Sequence, residues 1–113
     1  MEGQTGTEQI VGGLSSPKKA NGDIQAIVEL MSSACSVKPA VEKDMDMKLK
    51  EYDAKLYCTQ VVAGTMYYIK IHIGPGDECI HVKIFIPLPN LGQDTCFGGT
   101  QKHKKLSDPI IGF

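Results

Sequence analysis

Tyr67-Tyr68-Ile69-Lys70-Ile71-His72-Ile73, Gly74-Pro75-Gly76-Asp77 and Cys79-Ile80-His81-Val82-Lys83-Ile84-Phe85-Ile86 follow one another almost without a break. In the first run Tyr67, Ile69, Ile71 and Ile73 alternate with Tyr68, Lys70 and His72. In the last, Ile80, Val82, Ile84 and Ile86 alternate with Cys79, His81, Lys83 and Phe85. Apolar residues at every second position line one face of a strand, and Gly-Pro-Gly-Asp between two such runs is turn chemistry. The stretch therefore predicts an antiparallel hairpin packed on one side. On this reading His72, His81 and Lys83 fall on the solvated face.

Upstream, residues 52–58 repeat the pattern, with Tyr52, Ala54, Leu56 and Cys58 alternating with Asp53, Lys55 and Tyr57. Before them Ile24, Ile27, Val28, Met31 and Cys35 fall at i, i+3, i+4, i+7 and i+11, one apolar stripe of an α-helix. Asn21 or Asp23 is placed to cap it, and Pro39 is expected to end or kink it. Downstream, a weaker strand from Thr95 to Gln101 is expected to be broken by Gly98-Gly99. The predicted class is α+β: a long helix covering the apolar face of a four- or five-stranded antiparallel sheet. With 113 residues there is room for one core. Residues 1–11, rich in Gly, Thr, Gln and Glu, read as a flexible tail before a single domain at 12–113.

Composition removes several classes of function. Twelve Lys+Arg against thirteen Asp+Glu leave a net charge of −1, whereas binding to nucleic-acid phosphates calls for a positive excess. No apolar run reaches the length of a membrane span. The polar start lacks the basic and apolar regions of a secretory signal, so the expected address is cytoplasmic, with Cys35, Cys58, Cys79 and Cys96 as thiols. No CxxC or HxxxH pair gathers these cysteines with His72, His81 and His103 into a metal site. Nothing orients a base toward a thiol for catalysis. No metal, no cofactor and no enzymatic activity are expected.

The remaining signal lies in the turns. In a meander, alternate turns share one end of the sheet. Gly74-Pro75-Gly76-Asp77 is polar, but the turns on either side, Gln60-Val61-Val62-Ala63-Gly64-Thr65 and Pro87-Leu88-Pro89-Asn90-Leu91, carry apolar residues where the chain must reverse. One explanation is strand ends packing locally. The other is an apolar edge shaped for a partner's groove.

At these residues the chain resembles a known family. Gln60-Val61-Val62-Ala63-Gly64 is similar to the QVVAG signature of the cystatin superfamily. The run Thr59 to Lys70, together with His81-Val82-Lys83-Ile84-Phe85, Leu88-Pro89, Gly12-Gly13-Leu14 and Gly112-Phe113, resembles the stefins, or type 1 cystatins. The resemblance implies a reversible, tight-binding inhibitor of papain-like cysteine proteases, cathepsins among them. It implies a three-part wedge: an N-terminal trunk at Val11, Gly12 and Gly13; a first loop at Gln60, Val61, Val62, Ala63 and Gly64; and a second loop at Leu88 and Pro89. A monomer is expected; the alternative is a non-inhibiting assembly module in which opening the first hairpin lets strands exchange to give a domain-swapped dimer. About six residues near Leu30 to Cys35 are extra relative to the family. Six residues turn an ideal helix by about 600°, so this segment must bulge or the helix must repack.

Overall fold

The computed structural model describes residues 14–31, 36–88 and 95–113. Five strands form one antiparallel meander in the order β1 (Lys18–Lys19), β2 (Asp53–Val62), β3 (Gly64–His72), β4 (Glu78–Pro87) and β5 (Cys96–Lys105). Between β1 and β2 come two helices, α1 (Gly22–Val28) and α2 (Val37–Met45). The helices cover one face of the sheet. Ile24 and Val28 of α1 and Val37 and Val41 of α2 meet Ile69 and Ile71 of β3 and Ile80, Val82 and Ile84 of β4 in a single core. Burying each such side chain contributes about 1.5–3 kcal/mol.

The expected long helix comes as two segments. Asn21 caps α1, its side-chain oxygen accepting from the Ile24 amide at 3.1 Å, and Asp23 sits in the first turn, where its charge suits the helix dipole. The helix stops at Val28. The Val37 amide then donates to the Leu30 carbonyl at 2.8 Å, and Met31 and Ser36 form a β-bridge. The chain thus leaves the helical path after Val28, and a second helix begins at Val37. Met31, expected on the apolar stripe, is 68% exposed as a result; Cys35 lies outside the described residues. Pro39 neither ends nor kinks a helix. It sits in the first turn of α2, where a missing amide hydrogen costs nothing.

Strand β2 departs from simple alternation. Its pairing with β3 shifts between Ala54 and Leu56: Ala54 faces Ile71, but Leu56 faces Lys70 and Tyr57 faces Ile69. A one-residue irregularity moves every later side chain to the other face. Tyr57, not Leu56, therefore packs against the core, and buried Cys58 lies on the outer face across from Tyr68. Gly98-Gly99 does not break β5. The pairing shift between Lys83 and Ile84 puts Gly98 at a bulge in a strand that continues to Lys105.

The outer face is not solvated. After β5 the chain folds back across it: the Leu106 amide donates to Asp77 O at 3.0 Å, and the Lys70 ammonium donates to Leu106 O at 2.6 Å and also to Asp108 O. Lys70, Cys79 and His81 are buried beneath this strap, and Lys83 is half-buried. The expectation that His81 and Lys83 stand in water is therefore wrong. A regular alternating strand reveals which residues share a face, but not what later covers that face. His72 behaves differently. It lies at the rim beside the Gly74–Asp77 turn, contacts Glu51 and bonds Gly76 O at 2.7 Å. The Gly76 carbonyl first, and Glu51 second, raise its pKa.

His81 is 0% exposed, and neither ring nitrogen has a hydrogen-bond partner. Burial, reinforced by Lys70 and Lys104 and opposed by Asp108, lowers its pKa to about 4. A histidine lowered in the folded state binds its proton more readily when unfolded. Stability therefore falls as pH drops from the unfolded value, about 6.5, toward 4. Replacing His81 by Leu is expected to remove this loss, so that parent and variant diverge by on the order of 2–3 kcal/mol between pH 7 and pH 4. Urea unfolding across that range checks it; parallel pH curves would contradict it.

Candidate functional site

The first hairpin is as tight as a hairpin can be. Val61 pairs with Thr65 and Val62 with Gly64, leaving Ala63 alone at the tip. Val61 and Val62 are therefore the last rungs of the ladder rather than residues of a loop beyond it. They nevertheless remain 82% and 44% exposed, with Ala63 exposed beside them. Exposed valines at the end of a β-ladder forgo burial that the core offers nearby.

Gly64 fixes what lies next to this tip. It pairs with Pro87 across the β3–β4 ladder, has φ +137°, and a Cβ placed on it would come within 2.4 Å of the Ile86 carbonyl oxygen and 2.7 Å of Pro87 Cα. Only glycine tolerates that backbone conformation, and only glycine fits the gap. The close approach sets the exit of β4 directly against the first hairpin, so that Leu88, 49% exposed, emerges beside it. The second turn thus begins where the first one ends.

The N-terminal side is brought to the same edge by pairing on β2. Lys18 pairs with Tyr57 and Lys19 with Leu56, the Ala20 amide donates to Lys55 O at 2.9 Å, and the Ser15 amide donates to Thr59 O at 2.8 Å. The Ser15 hydroxyl accepts from the Thr59 amide at 3.0 Å. Traced backward from Ala20 to Ser15, the chain advances along β2 toward Gln60 and the tip. Gln25 occupies the rest of this edge, accepting from the Ala54 amide and donating to Tyr52 O, each at 2.8 Å.

Of the residues expected to form a contact surface, Gln60, Val61, Val62, Ala63, Gly64 and Leu88 stand together at one end of the sheet. The polar turn at Gly74–Asp77 stands at the other. Val11, Gly12, Gly13 and Pro89 lie outside the described residues. Sequence reading passed over Ser15, whose side chain and amide both hold Thr59. A serine in an aperiodic segment gives no periodic signal; only its neighbour across the strand reveals it.

Among the described residues, the site holds no reactive group. Burial, which outweighs the nearby Lys70 ammonium, raises the thiol pKa values of Cys58 and Cys79, and both thiols are buried on the outer face, away from the tip. Such thiols are inert. Among the described residues, no three metal-ligating side chains come together.

The apolar rim and its glycine seam coincide with a sequence match. The cystatin domain model matches residues 12–107. The chain belongs to the cystatin family. It is 40% identical over 102 residues to Cystatin-B of Oplegnathus fasciatus, covering 90% of this chain and 95% of the relative. It is 39% identical over 104 residues to human Cystatin-A, covering 92% and 99%. It is also 37% identical over 106 residues to Leukocyte cysteine proteinase inhibitor 1 of Sus scrofa, covering 94% and 96%. Relatives of the A and B types put this cystatin in the stefin branch, among protease inhibitors rather than enzymes. Membership of this family implies cysteine protease partners.

Gly64→Val is expected to lower the unfolding free energy of this cystatin by about 1–3 kcal/mol, because the new side chain must force the two hairpins apart and adopt a disfavoured φ. Denaturant titration measures the loss, and helical circular dichroism should be unchanged. A variant as stable as the parent would mean that the hairpins do not meet at Gly64.

Proposed function

We propose that this cystatin closes the active-site cleft of papain-like cysteine proteases, cathepsins among them, by inserting its apolar rim. The Gly64–Pro87 approach carries this reading, because it joins two exposed apolar turns into one edge. In it, Gln60, Val61, Val62, Ala63 and Gly64 form the centre of the wedge, Leu88 and Pro89 one flank, and Val11, Gly12 and Gly13 the other. The direction of residues 15–20 along β2 supports the trunk's part in this reading. The domain extends over residues 12–113 behind a tail at 1–11, and the protein works in the cytoplasm as a monomer.

The chemistry of the edge suits occlusion. Valines and alanine need no charged partner and gain from leaving water. A ladder that runs to the tip is already ordered, so little conformational entropy is lost on docking. Pro87 stiffens the start of the second flank in the same way. The tip offers no peptide bond in attack geometry to the protease thiolate, so the complex is reversible. A protease–inhibitor interface buries about 1,600 Å² in total, which sets the expectation of nanomolar or tighter affinity.

Titrating papain against a peptide substrate tests the reading. Stoichiometric loss of activity is expected; full activity at micromolar excess of the protein would defeat it. Removing residues 1–12 is expected to accelerate dissociation of the papain complex with little change in association rate. An unchanged off-rate would take the trunk out of the wedge.

A further inference from the structure

The C-terminal strap ends in contacts that lead back to the rim. Phe113 lies on the outer face of the sheet, where the Lys83 ammonium donates to its main-chain oxygen and stands 5.1 Å from the centre of its ring. The ring meets Tyr68 edge-on, with centroids 5.6 Å apart and planes at 70°. The strand beneath leaves room for this arrangement. A Cβ on Gly98 would crowd the Lys83 stem at 3.1–3.2 Å, whereas a Cβ on Gly99 would make only an ordinary contact with the Phe113 ring, at 3.9 Å. Gly98 is therefore a seat for Lys83, and Gly99 supplies the positive φ of +137° at the neighbouring position.

Tyr68, itself buried, donates its hydroxyl hydrogen to the side-chain oxygen of Gln60 at 3.2 Å. Gln60 and Tyr68 are diagonal neighbours on the same face of the β2–β3 ladder, a spacing that long side chains bridge. Gln60 immediately precedes Val61, so this bond fastens the base of the exposed tip. The tyrosine ring is in turn held by Phe113, and Phe113 by Lys83.

We infer that Tyr68, wedged by Phe113 and Lys83, is a positioning residue that sets the first loop for docking through Gln60. The inference rests on the reading of Gln60–Gly64 as a protease contact. Tyr68 and the Phe113 ring act through another residue and shape the tip before any partner arrives. Holding the tip in its docked form in the free protein lowers the entropy lost on binding, and such a gain appears mainly in the off-rate.

The test uses the full chain with papain as the probe protease. Tyr68→Phe keeps the ring contact with Phe113 and removes only the hydroxyl; Phe113→Ala removes the support. Each is expected to raise the dissociation rate about 3- to 10-fold, the range a single lost hydrogen bond produces, with association within about twofold. The double variant should be no worse than the weaker-binding single variant, because the two residues act in series. In the free protein, amide exchange at Val61, Val62 and Ala63 should quicken in both variants, while that of Ile69 and Ile71 stays parental.

A parental off-rate and parental tip exchange in Tyr68→Phe would overturn the proposal. So would effects that multiply in the double variant, which would mean that Phe113 reaches the protease by its own route. If Phe113→Ala does not fold, Tyr68→Phe alone decides. If the parent fails to inhibit papain, the inhibitory reading falls, and exchange at the tip still decides whether Tyr68 and Phe113 hold the loop.

Discussion

The backbone of Gly64 lies so close to Ile86 and Pro87 that no side chain fits between them, and the arrangement of this end of the sheet follows from that approach. It brings the end of the first hairpin against the end of β4, so the exposed apolar residues of two separate turns stand side by side. A wider gap would leave two small greasy tips, each too small to matter as a contact surface. The ladder pairing Val62 with Gly64 then carries order to the last residue before the turn. Backbone geometry sets the two tips side by side, Val61, Val62 and Ala63 give them an apolar coat, and the Tyr68–Gln60 hydrogen bond fastens the base of the first.

The sheet can hold that geometry because it is buried on both faces. Helices α1 and α2 cover one face with an ordinary aliphatic core. The strap at residues 106–113 covers the other, tied down by lysines rather than by oil. Lys70 reaches two backbone carbonyls and Lys83 a third. An ammonium held by carbonyls in a buried setting keeps its hydrogen bonds while giving up water; burial accordingly lowers the pKa of Lys70. The arrangement leaves His81 neutral and unpartnered beneath the strap, a local weakness toward acid that the rest of the structure must offset.

Much of the fold could be read from alternation alone. Ile69, Ile71, Ile80, Val82 and Ile84 were placed on the core face by their spacing, and all five are there. The tips at Gln60–Thr65 and Pro87–Leu91 were legible because apolar residues stood in turns. The failures share a cause. Leu56 and Cys58 changed faces at a bulge that no residue type announces. Met31 left the core because the chain stepped out of its helix after Val28. His81 and Lys83 read as solvated because the strap that covers them, residues 106–113, comes only after the whole of the next strand.

The sequence by itself determined the local periods, the cap at Asn21, the polar and apolar turns, and the family to which they belong, since each of these depends on residues a few positions apart. The tertiary structure alone decided which face became the interior at Tyr57, what covers the outer face, and how Gln60, Tyr68, Lys83 and Phe113 come to touch. Those outcomes depend on registers and crossings between distant segments, where a single inserted residue reverses the result and leaves no mark on local composition.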